Sequence, residues 1–261
     1  MSLVAAAFCP HPPLLIPDVA GAAADEMTDA RRACDEAVRR LLRQPVDGLL
    51  LIGTGPETGW QPAGARGTLA GFGVPVEAAL PAVPASGASV GSPDGEAGAS
   101  GGSPSGEASL PLSLTIGAWL LARQPGHDAV PVAAVTVAED TPPQECLAFG
   151  REQCADWRDR VAMLVMGDGA ACHGEKAPGY ADPRAEPFDE AVARALADGD
   201  PDALGALDPT VAAELLACGR APWQVLAGAA EGRRWRGDLL YRAAPYGVGY
   251  LIATWTSGDA G

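Results

Sequence analysis

The sequence predicts an α/β fold with a single central, largely buried sheet sandwiched by helices. Three observations predict it. Apolar runs of strand length alternate with segments whose apolar residues recur every three or four positions. Two of the runs, "DGLLLIG" at 47–53 and "VAMLVMG" at 161–167, are continuously apolar and end in glycine, as strands covered on both faces do. The chain has 261 residues, 48% of them hydrophobic, enough to bury one sizeable core. Residues 1–261 therefore read as one domain.

The elements follow in order. Residues 3–8, "LVAAAF", form the first buried strand. From Asp18 to Arg43 the apolar residues Val19, Ala23, Met27, Ala30, Ala37, Val38 and Leu41 recur at helical spacing, with Asp18 as the expected N-cap. The strand at 47–53 comes next, then a shorter one at 74–80, "VPVEAAL". Residues 82–110 are almost wholly Ala, Gly, Ser, Pro and Glu without an aromatic residue. Such a tract buries too little apolar surface to offset its chain entropy, so it reads as a flexible low-complexity insertion. A helix at about 112–123, a strand at 130–137, a helix opened by Pro142 and Pro143, and the strand at 161–167 follow. The region 187–231 is helical, with Asp200 and Asp208 as caps and Pro201 and Pro209 at first helical positions. Strands at 238–243 and 248–255 close the chain.

Composition excludes several functions. The net charge of −15 argues against nucleic acid and anionic membrane, which reward Lys/Arg patches. No apolar run approaches the ~20 residues of a membrane span. The N-terminus lacks a basic leader, so no signal peptide is expected. Six cysteines without a CxxC pair suit reduced thiols, and hence a cytoplasmic protein, better than a disulfide framework.

Ligands of such a sheet bind beyond the carboxyl ends of its strands. After the first strand comes "CPHPPLLIP", with His11. After the second comes "GTGPETGW", with Glu57 and Trp60. After 161–167 comes "DGAACHGEK", with Asp168, Cys172 and His173. Imidazoles and a carboxylate on converging loops suit a facial iron site, which leaves positions open for substrate and oxygen. His11 and Glu57 are the expected ligands. His173, of a residue type whose ordinary pKa is near neutrality, is the expected acid/base, with Asp168 as the second expected catalytic residue. Trp60, Trp223 and Tyr180 are candidates to line a pocket for a flat substrate. A zinc cluster drawn from Cys9, His11, Cys172, His173 and Cys218 lacks the paired spacing of such sites. "GTGPETG" matches neither a P-loop nor a dinucleotide-binding pattern. His127, in a turn, reads as a surface histidine.

"PHPPLLIP" resembles the opening motif of the class III extradiol dioxygenase catalytic-subunit superfamily, which includes the Memo-like proteins. "MGDGAACH" resembles that family's Ser-Gly-Asp-x-Ser-His loop, and "FDEAVARALADGD" and "LLACGRAPWQVLAGA" resemble its downstream helices. The resemblance spans most of the chain outside 82–110. It implies His11 as first iron ligand, His173 as catalytic base, and Cys218 as a residue lining the site. The chain departs from the pattern in two places. "IGTGPETGW" lacks the second iron-binding histidine, and Asp168 and His173 are five residues apart where the family has three. The resemblance thus implies a dioxygenase-like protein with an eroded Fe(II) site that holds iron weakly or not at all. Its expected ligand is a small molecule such as an aromatic diol, bound in a cleft at the strand ends. The alternative is a non-catalytic relative that keeps the fold and cleft for small-molecule or protein binding.

Overall fold

The computed structural model describes residues 2–81, 109–156 and 160–258. In chain order its elements are β1 (Ser2–Cys9), α1 (Pro17–Ala20), α2 (Thr28–Leu42), β2 (Gly48–Gly55), β3 (Gly59–Trp60), β4 (Arg66–Thr68) and β5 (Glu77–Ala79). These are followed by α3 (Leu112–Ala122), β6 (Val132–Ala138), α4 (Pro143–Asp156), β7 (Arg160–Met166), α5 (Ala185–Asp198), α6 (Pro201–Gly205) and α7 (Pro209–Glu214). The last are α8 (Arg220–Ala230), β8 (Trp235–Ala243) and β9 (Tyr250–Ser257).

Seven strands form the central sheet in the order β3-β6-β2-β7-β1-β9-β8. β6, β2, β7 and β1 run parallel. β3 and β9 pair antiparallel with β6 and β1, and β8 pairs antiparallel with β9. Helices cover both faces, and alternate side chains of each strand feed two cores. Ala6 and Phe8 of β1, with Met163 and Val165 of β7, pack on the side of α5 and α8. Ala5, Ala7 and Cys9, with Ala162, Leu164 and Met166, pack on the side of α2 and α3. Burial on both faces explains why these strands read as unbroken apolar runs.

Three expectations are corrected. The helix expected from Asp18 to Arg43 is broken. Gly21 takes φ 54 and ψ −120, outside the helical region, and a 3-10 turn spans Gly21–Met27 before α2 begins. Asp18 sits in the first turn of α1 and makes no cap; the residue before that helix is Ile16. The strand expected at 74–80 shrinks to β5, which pairs with β4 in a separate two-stranded sheet. The sheet edge beside β6 is taken instead by the two-residue β3, too short to show a periodicity. The expected insertion, 82–110, lies outside the described residues except for its last two. Leu110 is buried, and its N–H donates to the Arg66 carbonyl at 2.8 Å. The two Asp-Pro helix starts are as expected: Asp200 accepts from the Ala203 N–H, and Asp208 from those of Thr210 and Val211. No helix among the described residues is long and apolar enough to cross a membrane.

Candidate functional site

Strand pairing builds the centre of the site. Cys9 of β1 lies opposite Met166 of β7. The residues two beyond each, His11 and Asp168, therefore emerge side by side at the carboxyl end of the sheet. The Gly167 N–H donates to the Cys9 carbonyl at 2.9 Å, and the His11 N–H to Asp168 Oδ1 at 2.8 Å. His11 Nδ1 stands 3.9 Å from the same oxygen. The third member arrives from the start of α8. The Gly219 N–H donates to the Asp168 carbonyl at 2.9 Å, which brings Cys218 Sγ to 3.6 Å from His11 Nε2. Ligand atoms of His11, Asp168 and Cys218 all lie within 4.8 Å of one another.

His11 and Asp168 are buried and Cys218 is half-buried, and the electrostatics follow from that. Burial first, then the Asp168 carboxylate, pushes the Cys218 thiol well above its ordinary pKa. Burial and Asp168 also raise the Tyr250 hydroxyl. His11 Nδ1 is buried without a hydrogen-bond partner. The ring thus presents Nδ1 to the Asp168 carboxylate at 3.9 Å and Nε2 to the Cys218 thiol at 3.6 Å, so donors of three types converge on one imidazole. One imidazole, one carboxylate and one thiol suit zinc, ferrous iron or cobalt, whereas magnesium and calcium prefer all-oxygen sites.

The other expected residues lie elsewhere. Glu57 does not join the group. β2 is separated from β1 by β7, and the chain after β2 turns toward β6, where the Thr136 hydroxyl donates to the Glu57 carbonyl at 2.8 Å. The Glu57 side chain is exposed. Trp60 is half-buried at the sheet edge, in β3. His173 belongs to a second cluster on the same loop. Its N–H donates to the Gly247 carbonyl, and its Nε2 lies 2.7 Å from Asp189 Oδ2. Its Nδ1 is 3.6 Å from Glu186. Asp189 also accepts from the Ala170 N–H at 2.9 Å. Burial raises the Asp189 carboxyl, and the bonds from Ala170 and His173 work against that shift. The carboxylate fills space opened by two glycines: a Cβ at Gly169 or Gly249 would lie 2.4 or 1.8 Å from its oxygens. His173, Glu186, Asp189 and Arg242 line an open cavity of about 270 Å³.

Sequence reasoning missed Asp189, although a signal existed. With Val192, Ala193 and Leu196 it forms an i, i+3, i+4, i+7 stripe on α5, and a lone carboxylate on an apolar stripe needs a partner. Arg220 was missed as well. It is buried, and its guanidinium donates to the Glu139 and Thr141 carbonyls and to Gln224. It thereby ties the loop after β6 to the start of α8, next to Cys218.

No family model matches the chain, and no curated protein matches it. Among solved structures it is similar to the crystal structure of the uncharacterized protein JW3007 from Escherichia coli K12. The identity is 16% and the TM-score 0.53, over 97% of this chain and 99% of that one. At that identity the likeness shows the fold, a seven-stranded α/β sheet flanked by helices.

Proposed function

We propose that the chain is a metal-dependent protein of the extradiol dioxygenase type in which the Cys218 thiolate takes the place of a second imidazole. The observation that carries this reading is the convergence of His11, Asp168 and Cys218, three donor types from distant segments, into one group with His11 and Asp168 buried and Cys218 half-buried. His11, Asp168 and Cys218 would hold the ion. When bound, a ferrous ion supplies a Lewis acid for a chelating diol and electrons for oxygen. The rest falls to the chain. Asp189 accepts from His173 Nε2, which fixes the ring and leaves Nδ1 as the basic nitrogen, facing the cavity. A small molecule such as an aromatic diol is the ligand, reached from the carboxyl ends of the strands. The unpaired thiols Cys9, Cys34, Cys146, Cys172 and Cys218 support a cytoplasmic setting. The single imidazole in the group favours a second reading, a non-catalytic relative that binds metal and ligand without turnover.

Metal analysis of protein purified without chelator or affinity tag, joined to aerobic ring-opening absorbance with ferrous iron, tests both readings. The enzyme reading expects turnover that His11→Ala abolishes. It also expects Asp189→Asn to lower turnover about a hundredfold at unchanged metal content, the scale of a lost general acid/base. Stoichiometric metal without turnover selects the second reading, and failure to bind any transition metal removes both.

The thiol adds a pH signature. Its raised pKa means that metal must displace a proton from Cys218. Below that pKa, each unit of added pH is expected to tighten zinc or iron binding about tenfold. Competition titrations with a chelator at pH 6.5 and 7.5 measure the slope; a flat profile argues against thiolate ligation.

A further inference from the structure

At the end of the sheet opposite His11, a cavity of about 320 Å³ opens between α2 and the strands β1, β9 and β8. Arg40 and Arg43 reach it from the end of α2, Arg236 and Asp238 from β8, and Thr254 and Thr256 from β9. Ala5, Ala6 and Leu41 give it an apolar floor. Three guanidinium groups around one cavity run against a chain of net charge −15. Arg40 is spoken for: it lies 2.7 Å from Glu36 and 2.5 Å from Asp238. Arg43 and Arg236 make no ion pair and no side-chain hydrogen bond among the described residues, and neither do the hydroxyls of Thr254 and Thr256. Arg236 and two hydroxyl donors therefore face the cavity without such partners, and Arg43 faces it with only the more distant Glu36 carboxylate acting on its charge.

We propose that this cavity binds a small molecule with an oxyanion head, a phosphate or a carboxylate, on a compact apolar body. Guanidinium groups recognise both heads through paired N–H donors. The volume lies at the small end of ligand pockets, and the alanine and leucine floor suits a ring or short chain. The site stands apart from the metal centre and does not depend on it.

Chemical-shift titration of the full-length protein tests the assignment, with inorganic phosphate, phenyl phosphate and benzoate as probes at constant ionic strength. Saturable shifts are expected at residues 5–6, 40–44, 236 and 254–256. Phenyl phosphate against benzoate identifies the head, and inorganic phosphate alone shows whether the floor contributes. Arg43→Gln combined with Arg236→Gln, both exposed positions, is expected to weaken binding at least tenfold, the scale of one lost charge-assisted hydrogen bond, at unchanged melting temperature. No saturation by any probe at about 10 mM, far weaker than a specific site, overturns the proposal. So does binding that the double variant leaves intact.

Discussion

Cys218→Ser is expected to weaken transition-metal binding at least a hundredfold while the fold persists. Residues that only orient a ligand cost 10–100-fold when removed, so losing a ligand itself lies at or beyond the top of that range. Serine keeps the size and the hydrogen-bonding role beside His11 Nε2, now 3.6 Å from the sulfur. It lacks a proton that a metal can displace near neutral pH. The tenfold-per-unit pH slope should vanish together with the affinity. Thermal unfolding of metal-free protein should be nearly unchanged, because the raised pKa keeps the free thiol protonated, as a serine hydroxyl is. If the variant binds zinc as tightly as the wild type, the group built on His11 and Asp168 holds its ion without sulfur, and the proposed centre is wrong.

Gly150→Ala is expected to destabilise the protein by about 3 kcal/mol, the upper range for overpacking a close-packed core. α4 and α8 meet backbone to backbone. A Cβ on Gly150 would lie 1.9 Å from the Val225 carbonyl oxygen and 2.8 Å from the Ala229 nitrogen. Reciprocally, a Cβ on Gly228 would lie 2.1 Å from the Leu147 carbonyl oxygen. Neither obstacle is a side chain that could swing aside. For a chain of this length the change corresponds to a drop of roughly 6–12 °C in Tm. Because Cys218 lies just before α8, metal affinity should fall with stability. A melting temperature within ~2 °C of the wild type would show that the helices separate at little cost.

The sheet was legible because its strands are buried on both faces. β1, β2, β6 and β7 each show an apolar run that no solvent-facing strand would carry. Strand order was not legible, and the site depended on it. His11 and Glu57 each follow a strand, but only the adjacency of β1 and β7 decides that His11 meets Asp168 rather than Glu57. Asp168 was singled out by its position at a strand end. Cys218 was expected to line the site by resemblance, since a cysteine before a buried helix looks like any small apolar residue and the cysteines lack the paired spacing of a metal site. The break at Gly21 and the two-residue β3 were hidden for another reason. Periodicity averages over a window longer than either feature.

The central place of β1 has a consequence for how the protein is made. Phe8 pairs with Val165 on one side and Ala253 on the other. During synthesis β1 (Ser2–Cys9) leaves the ribosome well before β9 (Tyr250–Ser257), its second neighbour. At ~5–20 residues per second the nascent strand waits roughly 10 to 50 s for that partner. Throughout that interval an apolar strand with an open edge is available to chaperones or to neighbouring chains. His11 and Asp168 can meet once β7 has docked, but Cys218 is still to come. An ion bound by the proposed centre would find an incomplete cradle until the segment through Cys218 has emerged, so loading would follow that segment rather than the pairing of β1 with β7.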